Sequence, residues 1–397
     1  MIDRHPISAD NSAHTAQKRD YLPQSSPLRV LISPDKFKGS LNAVAAAEAL
    51  RAGWLQARPF DECRCLPIAD GGEGFLDAIA KSGKWECIVE KVQGPLGITV
   101  AAKTLISGSR AAIETSSACG LHLVPKELRN PANTDTFGVG ELLLRSAAHD
   151  VSLLYAGLGG SATNDGGFGM ARALGFRFLD KNGSPLHGGP LSLLQLERIV
   201  PPEKLVLPRI LVASDVTNNL LEENGCTRVF GPQKGLRVVD EIIPFEESLA
   251  RLADFCRRDL GENHESTPGS GAAGGLGFGF LVFCKAQILP GFEIVAEALM
   301  LEEHLKWADV VLTGEGSLDS QSLGGKAPVA LARLARLHGK PVECFAGVMT
   351  LDDVDWRPLF QSVTSLTGIA GSTESAIKDS AIWLFEASRR RAKEQIS

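Results

Sequence analysis

Six hydrophobic runs of strand length along this chain each stop at a cluster of glycines, carboxylates, hydroxyls or lysines. VLIS (30–33) precedes Pro34, Asp35, Lys36, Phe37, Lys38, Gly39 and Ser40, and LPIA (66–69) precedes Asp70, Gly71, Gly72, Glu73 and Gly74. LLYA (153–156) enters the glycine-rich stretch 157–169, ILVAS (210–214) precedes Asp215, VVLT (310–313) enters 314–326, and CFA (344–346) precedes Gly347. In an open α/β sheet, ligands sit in the crevice beyond the carboxyl ends of the strands, so polar residues gathered at those ends describe one lined cleft. The pattern is that of an enzyme; no repeat, coiled-coil heptad or low-complexity segment points to a scaffold.

The same pattern predicts the order of elements. A strand over 29–33, an alanine-rich helix over 43–56 and a strand over 63–68 form a β-α-β unit, followed by a helix over 74–82 and a strand over 86–92. Beyond Gly94 two strand-like runs, 98–106 and 110–114, follow each other without a helix, as in a hairpin that opens a second domain. A helix over 136–148, a strand over 151–156, a helix from Asp165, a strand over 209–214 and a charged helix over 239–259 lead to a glycine-rich loop over 269–279. After Gly291 the β-α alternation returns: strand 309–313, helix 327–338, strands 342–346 and 362–366, and a terminal helix from Glu374. The fold class expected is α/β, with two α/β domains, one inserted into the other. Residues 28–96 plus 290–397 would form a discontinuous Rossmann- or flavodoxin-like domain, residues 97–289 the inserted one, and residues 1–27 a disordered tail.

Composition narrows the function classes. The chain has 397 residues, 44% of them hydrophobic, and a net charge of −6 with lysine and arginine spread throughout, so it offers no basic face for nucleic acid. The longest uncharged stretch, 268–284, is too short for a membrane span and about one-third glycine. The first 27 residues lack an apolar core of the secretory kind and an arginine-rich amphipathic pattern. The eight cysteines show no zinc spacing and are expected as reduced thiols of a cytoplasmic protein. No histidine stands in an H-x-x-x-H pattern or beside a G-x-S-x-G turn, which disfavours a zinc protease or serine hydrolase.

Three glycine-rich stretches are candidate cradles. Gly159, Gly160, Ser161, Thr163 and Asp165 lie between a strand and a helix, where curled backbone N–H groups and a helix start suit an anion such as phosphate; a tight turn without ligand is the alternative. The stretch 269–279, with Gly274 and Gly275, carries no charge and reads equally as a hinge or a close helix contact. The stretch 314–326 supplies Glu315 and Asp319, able to hold Mg²⁺, and Lys326, able to neutralise phosphate oxygens. None is a Walker A loop, and no G-x-G-x-x-G follows the first strand. Asp70 stands where a helix N-cap would stand, with Glu73 three residues on, while Asp215 ends an otherwise apolar strand.

The segments Pro34–Leu41, Ala69–Gly74, 157–167, 215–218, 230–235, 271–277 and 312–328, in this order, resemble the bacterial type I glycerate kinase family, and the likeness covers roughly residues 29–390. The resemblance implies ATP-dependent phosphorylation of D-glycerate, with 2-phosphoglycerate the usual product and 3-phosphoglycerate given for some members. It also implies two α/β domains, one inserted in the other, with the active site between them. Departures are Lys36 where serine is common, Asn219 where proline often stands, and Phe168 where alanine is usual. In the resulting scheme Gly159, Gly160, Ser161 and Thr163 hold phosphate oxygens and Gly274 and Gly275 close over them. Glu315, Asp319 and Asp165 are the metal candidates, and Lys326 faces the transferred group. Lys38 and Ser40, with Asp35 and Glu73, hold the acid, and Asp215, then Asp70, orients or deprotonates the attacking hydroxyl. Another small hydroxy acid as substrate and a non-catalytic nucleotide sensor are the competing readings; a homodimer is compatible with the sequence.

Overall fold

In the computed structural model, which describes residues 26–69, 71, 72, 74–81, 83 and 85–395, the strands in chain order are β1 (Arg29–Ile32), β2 (Glu62–Cys65), β3 (Glu86–Gln93), β4 (Thr99–Ser107), β5 (Arg110–Glu114), β6 (Leu153–Gly157) and β7 (Arg177–Leu179). They continue with β8 (Arg198–Val200), β9 (Arg209–Ala213), β10 (Gln287–Leu289), β11 (Val310–Leu318), β12 (Val342–Met349) and β13 (Ser362–Ser365). All but residues 26 and 27 of the expected tail lie outside the described residues, as do Asp70 and Glu73. Two large sheets result: a five-stranded one ordered β13-β12-β11-β1-β2, parallel throughout, and a six-stranded one ordered β10-β9-β6-β5-β4-β3. The chain leaves the first sheet after β2, builds the second, and returns at β11.

The central strands β1 and β11 of the parallel sheet are apolar at successive positions, over 30–32 and 310–312, because both faces are covered. Val30, Ile32, Leu312 and Phe345 face the helices Ala43–Ala57 and Ser380–Glu394, while Leu31, Val311 and Cys344 face the opposite core. The first of these helices starts where the Asn42 side chain accepts the Ala45 N–H at 2.8 Å. It crosses the terminal helix so closely that a Cβ on Gly53 would lie 2.1 Å from the Phe385 carbonyl oxygen. The core on the other face is shared: Leu31 and Ile68 meet Ala112, Tyr155 and Leu211 of the second sheet, with Ile294, Leu301 and Ala332 between.

Several sequence expectations shift. β3, grouped by the sequence with the first unit, is the edge strand of the second sheet, so the change of sheet comes before residue 86 and not near 97. Alternation identifies a strand but carries no information on which sheet receives it. β11 runs to Leu318 and β12 to Met349, five and three residues past their expected ends, because Gly314, Gly316 and Gly347 are strand positions crowded by neighbouring backbone. The helix expected from Asp165 begins at Phe168, after Gly166 and Gly167 in left-handed conformation. The stretch 269–279 resolves as a close helix contact: Ala273, Gly274 and Gly275 are left-handed, and helix then continues to Cys284. The helices Cys226–Lys234, Gly291–Ala298 and Leu301–Trp307 were not read from the sequence. Among the described residues no helix is long and apolar enough to cross a membrane.

The terminal helix is bolted to β12 by a buried ion pair. Arg391 donates to both oxygens of Glu343 at 2.8 and 2.9 Å, and Ser362 and Gln395 complete the shell of a carboxylate that is 1% exposed. Removing one partner strands a charge in the interior. Arg391→Met is therefore expected to lower stability by about 3 kcal/mol in urea unfolding, an effect that a change at the exposed neighbour Arg390 would not reproduce.

Candidate active site

The carboxyl ends of the two sheets face each other across a short contact. After β2 the chain turns through Gly71 and Gly72, and a Cβ on Gly71 would lie 2.7 Å from the Ala213 Cβ at the end of β9. A Cβ on Gly157, at the end of β6, would lie 2.8 Å from the Gly71 carbonyl oxygen, and one on Gly159 would meet Gly72 at 3.4 Å. Glu114, at the end of β5, accepts the Phe75 N–H at 2.9 Å; burial raises its pKa, and the backbone N–H groups that start the helix Phe75–Ala80 partly offset the rise. Opposing strand ends are thus held in register by backbone contact, with candidate side chains along the seam.

On the first sheet, Asp35, three residues past the end of β1, is buried; its N–H donates to Gly314 O at 2.8 Å and its carboxylate accepts the Lys36 N–H at 2.7 Å. The chain then turns at Gly39, where φ is +79°, and Lys36, Lys38, Ser40, Ile68 and Asp77 line a cavity of ≈ 390 Å³. The Ser40 hydroxyl is turned to the C-terminal helices, donating to Ile377 O at 3.0 Å and sharing a hydrogen bond with Ser380, so the acid-binding role expected for it is not supported by its orientation.

Glu315 points from β11 into the interior, 5% exposed, with Oε1 lacking a hydrogen-bond partner. Burial pushes its carboxyl up to about 7, against the opposing pull of the Ser322 hydroxyl and Lys326. Asp319 is held low despite partial desolvation, because Ser317 Oγ donates at 3.1 Å and the Gln321 N–H at 2.9 Å. Its carboxylate lies 3.8 Å from Lys326 Nζ. Among the described residues no group of three or more His, Cys, Asp or Glu side chains is disposed to hold a metal ion. An orphaned buried carboxylate oxygen beside a second carboxylate does fit Mg²⁺, which takes one or two carboxylates and completes its shell with water and phosphate.

Asp165 does not fit that group. Its Oδ2 accepts from the Thr136 N–H, the Thr136 hydroxyl and the Gly169 N–H at 2.8 to 3.0 Å, and Oδ1 from the Gly167 N–H at 3.1 Å. Four donors on a fully buried side chain make it a brace between the helices Phe137–Ala147 and Phe168–Ala173. Gly274 and Gly275 are also displaced from their expected role. They are buried behind the 157–167 loop, where a Cβ on Gly274 would lie 2.0 Å from Thr163 O and one on Gly275 2.9 Å from Gly166 Cα. They support the loop from behind and leave Gly159 and Gly160 as its accessible part.

Asp215, at the end of β9, accepts the Gly291 N–H at 2.7 Å and so sets the start of the helix Gly291–Ala298. With Thr217, Gln321, Lys326 and Arg333 it lines a cavity of ≈ 650 Å³ that joins the second sheet to the 314–326 segment. Asp35 and Lys38 follow the end of β1, Asp215 follows the end of β9, Glu315 lies within β11, and Asp319 and Lys326 follow its end. Two functional candidates were missed: Glu114, which the strand-end rule identifies once applied to β5, and Lys234, whose burial has no sequence signal beyond its place in 230–235.

Above pH 7 Glu315 is ionised, below it neutral, whereas in the unfolded chain it ionises near 4.5. The native state binds the extra proton between these values, so this group's contribution to stability falls as pH rises from 4.5 to 7. Glu315→Gln is expected to be more stable than the parent at pH 8, on the order of 2 kcal/mol, and equal to it near pH 4; denaturant curves at the two pH values check this.

Residues 30–395 match the model of the glycerate kinase family. A protein named glycerate kinase from Halalkalibacterium halodurans is 44% identical over 324 residues, covering 80% of this chain and 85% of its own. One from Escherichia coli, named glycerate 2-kinase, is 40% identical over 334 residues, covering 82% and 87%. A crystal structure from Salmonella typhimurium, assigned as glycerate kinase 2, superposes with a TM-score of 0.82 at 36% identity and covers 93% of this chain and 98% of its own.

Proposed function

The chain belongs to the glycerate kinase family, and from that membership we propose the reaction in full: transfer of the γ-phosphoryl group of ATP to the 2-hydroxyl of D-glycerate, giving 2-phosphoglycerate. The observation that carries the reading is the facing of two sets of strand ends, with Asp215 and Lys326 lining one cavity. Phosphoryl transfer needs positioning and charge neutralisation more than covalent chemistry from the protein, and a cleft of fixed strand ends supplies both. The name of the Escherichia coli relative supports the 2-hydroxyl as acceptor.

In this scheme the backbone of Gly159 and Gly160, with the Ser161 hydroxyl, receives phosphate oxygens. Lys326, kept near Asp319, faces the phosphoryl group in transit. Lys38, joined by Lys36, holds the carboxylate of the acid inside the smaller cavity. Asp215 orients the attacking hydroxyl and accepts its proton. Glu315, with Asp319, would hold Mg²⁺, which would supply charge neutralisation for the phosphate groups. Thr163, Gly274 and Gly275 act by shaping the loop. The presence of Lys36 beside Lys38 favours one second reading, a small hydroxy acid carrying more negative charge than glycerate.

Asp215→Asn keeps an acceptor for the Gly291 N–H while removing the base, so turnover is expected to fall at least about 100-fold with an unchanged melting temperature; near-normal turnover removes Asp215 from the chemistry. Phosphorus NMR of the protein with MgATP and D-glycerate is expected to show the ester on the C2 oxygen. An ester on C3 reverses the regiochemistry, and no new ester with intact ATP transfers the reading to another acid.

A further inference from the structure

Lys234 is a cation where a cation is costly. It ends the helix Cys226–Lys234, is 2% exposed, and lies behind the 157–167 loop. Its Nζ donates to Ser161 Oγ at 3.0 Å and to Thr163 O at 2.6 Å, and a Cβ on Gly274 would lie 2.7 Å from the same nitrogen. The seat is closed on every side, so glycine at 274 leaves room for the ammonium and for the Thr163 carbonyl together. Because Ser161 Oγ accepts from the ammonium, its own proton is directed elsewhere.

A neutral donor would satisfy the same two acceptors without the desolvation cost of a charge. The titratable groups facing the ammonium are Cys226 on its own helix, Cys119 on the helix Ser116–Cys119, and Asp165 in the loop. Burial holds both thiols up, at about 11 and about 12, so they remain neutral, while Asp165 is engaged by four donors of its own.

We propose that Lys234 is a positioning residue for the nucleotide phosphates: it anchors Ser161 and Thr163 from behind, turns the Ser161 hydroxyl proton toward the ligand, and places a fixed positive charge under the Gly159–Gly160 turn. The inference rests on the reading of that turn as the phosphate cradle. Burial also pushes the Lys234 pKa down to about 8, which makes the device pH-dependent. As pH rises through 8 the charge is lost and nucleotide affinity falls. Stability moves the opposite way, since the unfolded lysine keeps its proton to about 10.5 and deprotonation of the native state relieves the buried charge.

The test is MgATP binding by calorimetry, with thermal unfolding alongside, for the parent, Lys234→Met and Ser161→Ala. Lys234→Met is expected to remain folded and weaken MgATP about tenfold, with KM for the acid within twofold. The parent is expected to lose affinity between pH 7 and 9.5 while staying folded, and the variant to show no such loss. If Lys234→Met binds MgATP like the parent while Ser161→Ala weakens it, the role of Lys234 is overturned and the cradle stands. If Ser161→Ala and a carboxylate placed at the mouth by Gly160→Asp both leave binding intact, the cradle reading itself fails. Should Lys234→Met not fold, the parent's pH titration decides: a flat affinity from pH 7 to 9.5 overturns the proposal.

Discussion

Backbone-to-backbone contact between the turn after β2 and the ends of β6 and β9 is the constraint on which the rest depends. Gly71, Gly157 and Ala213 approach so closely that a side chain at either glycine would separate the sheets. Small residues at this seam allow a parallel sheet and the parallel strands β5, β6 and β9 of a mixed one, whose carboxyl ends would ordinarily open to solvent, to face each other instead. The shared core beneath, built on the helices Gly291–Ala298, Leu301–Trp307 and Ala327–Leu337, makes that approach a property of the packed interior. Asp215 takes part in both layers, since it borders the larger cavity and holds the first of these helices through Gly291.

Close approach also explains the electrostatics. Glu315, Glu114 and Lys234 are each displaced from ordinary ionisation by desolvation: Glu315 lies within β11, Glu114 at the end of β5 and Lys234 behind the 157–167 loop. Burial raises the Glu315 carboxyl to about 7 and lowers the Lys234 ammonium to about 8, so each is held in the fold at a cost in desolvation. The fully bonded Asp165 and the Glu343–Arg391 pair are the contrast: equally buried, but satisfied within the protein, and placed where they brace elements.

Much of this was legible in the sequence, and what was not has identifiable causes. Hydrophobic runs ending in polar clusters located β1, β6, β9, β11 and β12 and the residues at their tips. For Asp165, Gly274 and Gly275 a buried brace and a ligand-binding group share the same residue types; the four donors around Asp165 and the 2.0 Å approach of a Cβ at 274 to Thr163 O emerge only in the fold. β11 outran its expected end because glycine in a strand looks like glycine in a loop until the neighbouring strand is in place. Ser40 is given an acid-binding role with Lys38 by the resemblance, yet its hydroxyl is drawn to Ile377 and Ser380, more than 330 residues away in the chain.

The proposed reaction requires both substrates to lie between the two sheets, against residues from each. The direct measurement is a crystal structure with D-glycerate, Mg²⁺ and a non-hydrolysable ATP analogue. Phosphate oxygens are expected at Gly159, Gly160 and Lys326, the acid carboxylate at Lys38, and its hydroxyl at Asp215. A nucleotide bound to one sheet alone, with those residues untouched, would contradict that placement.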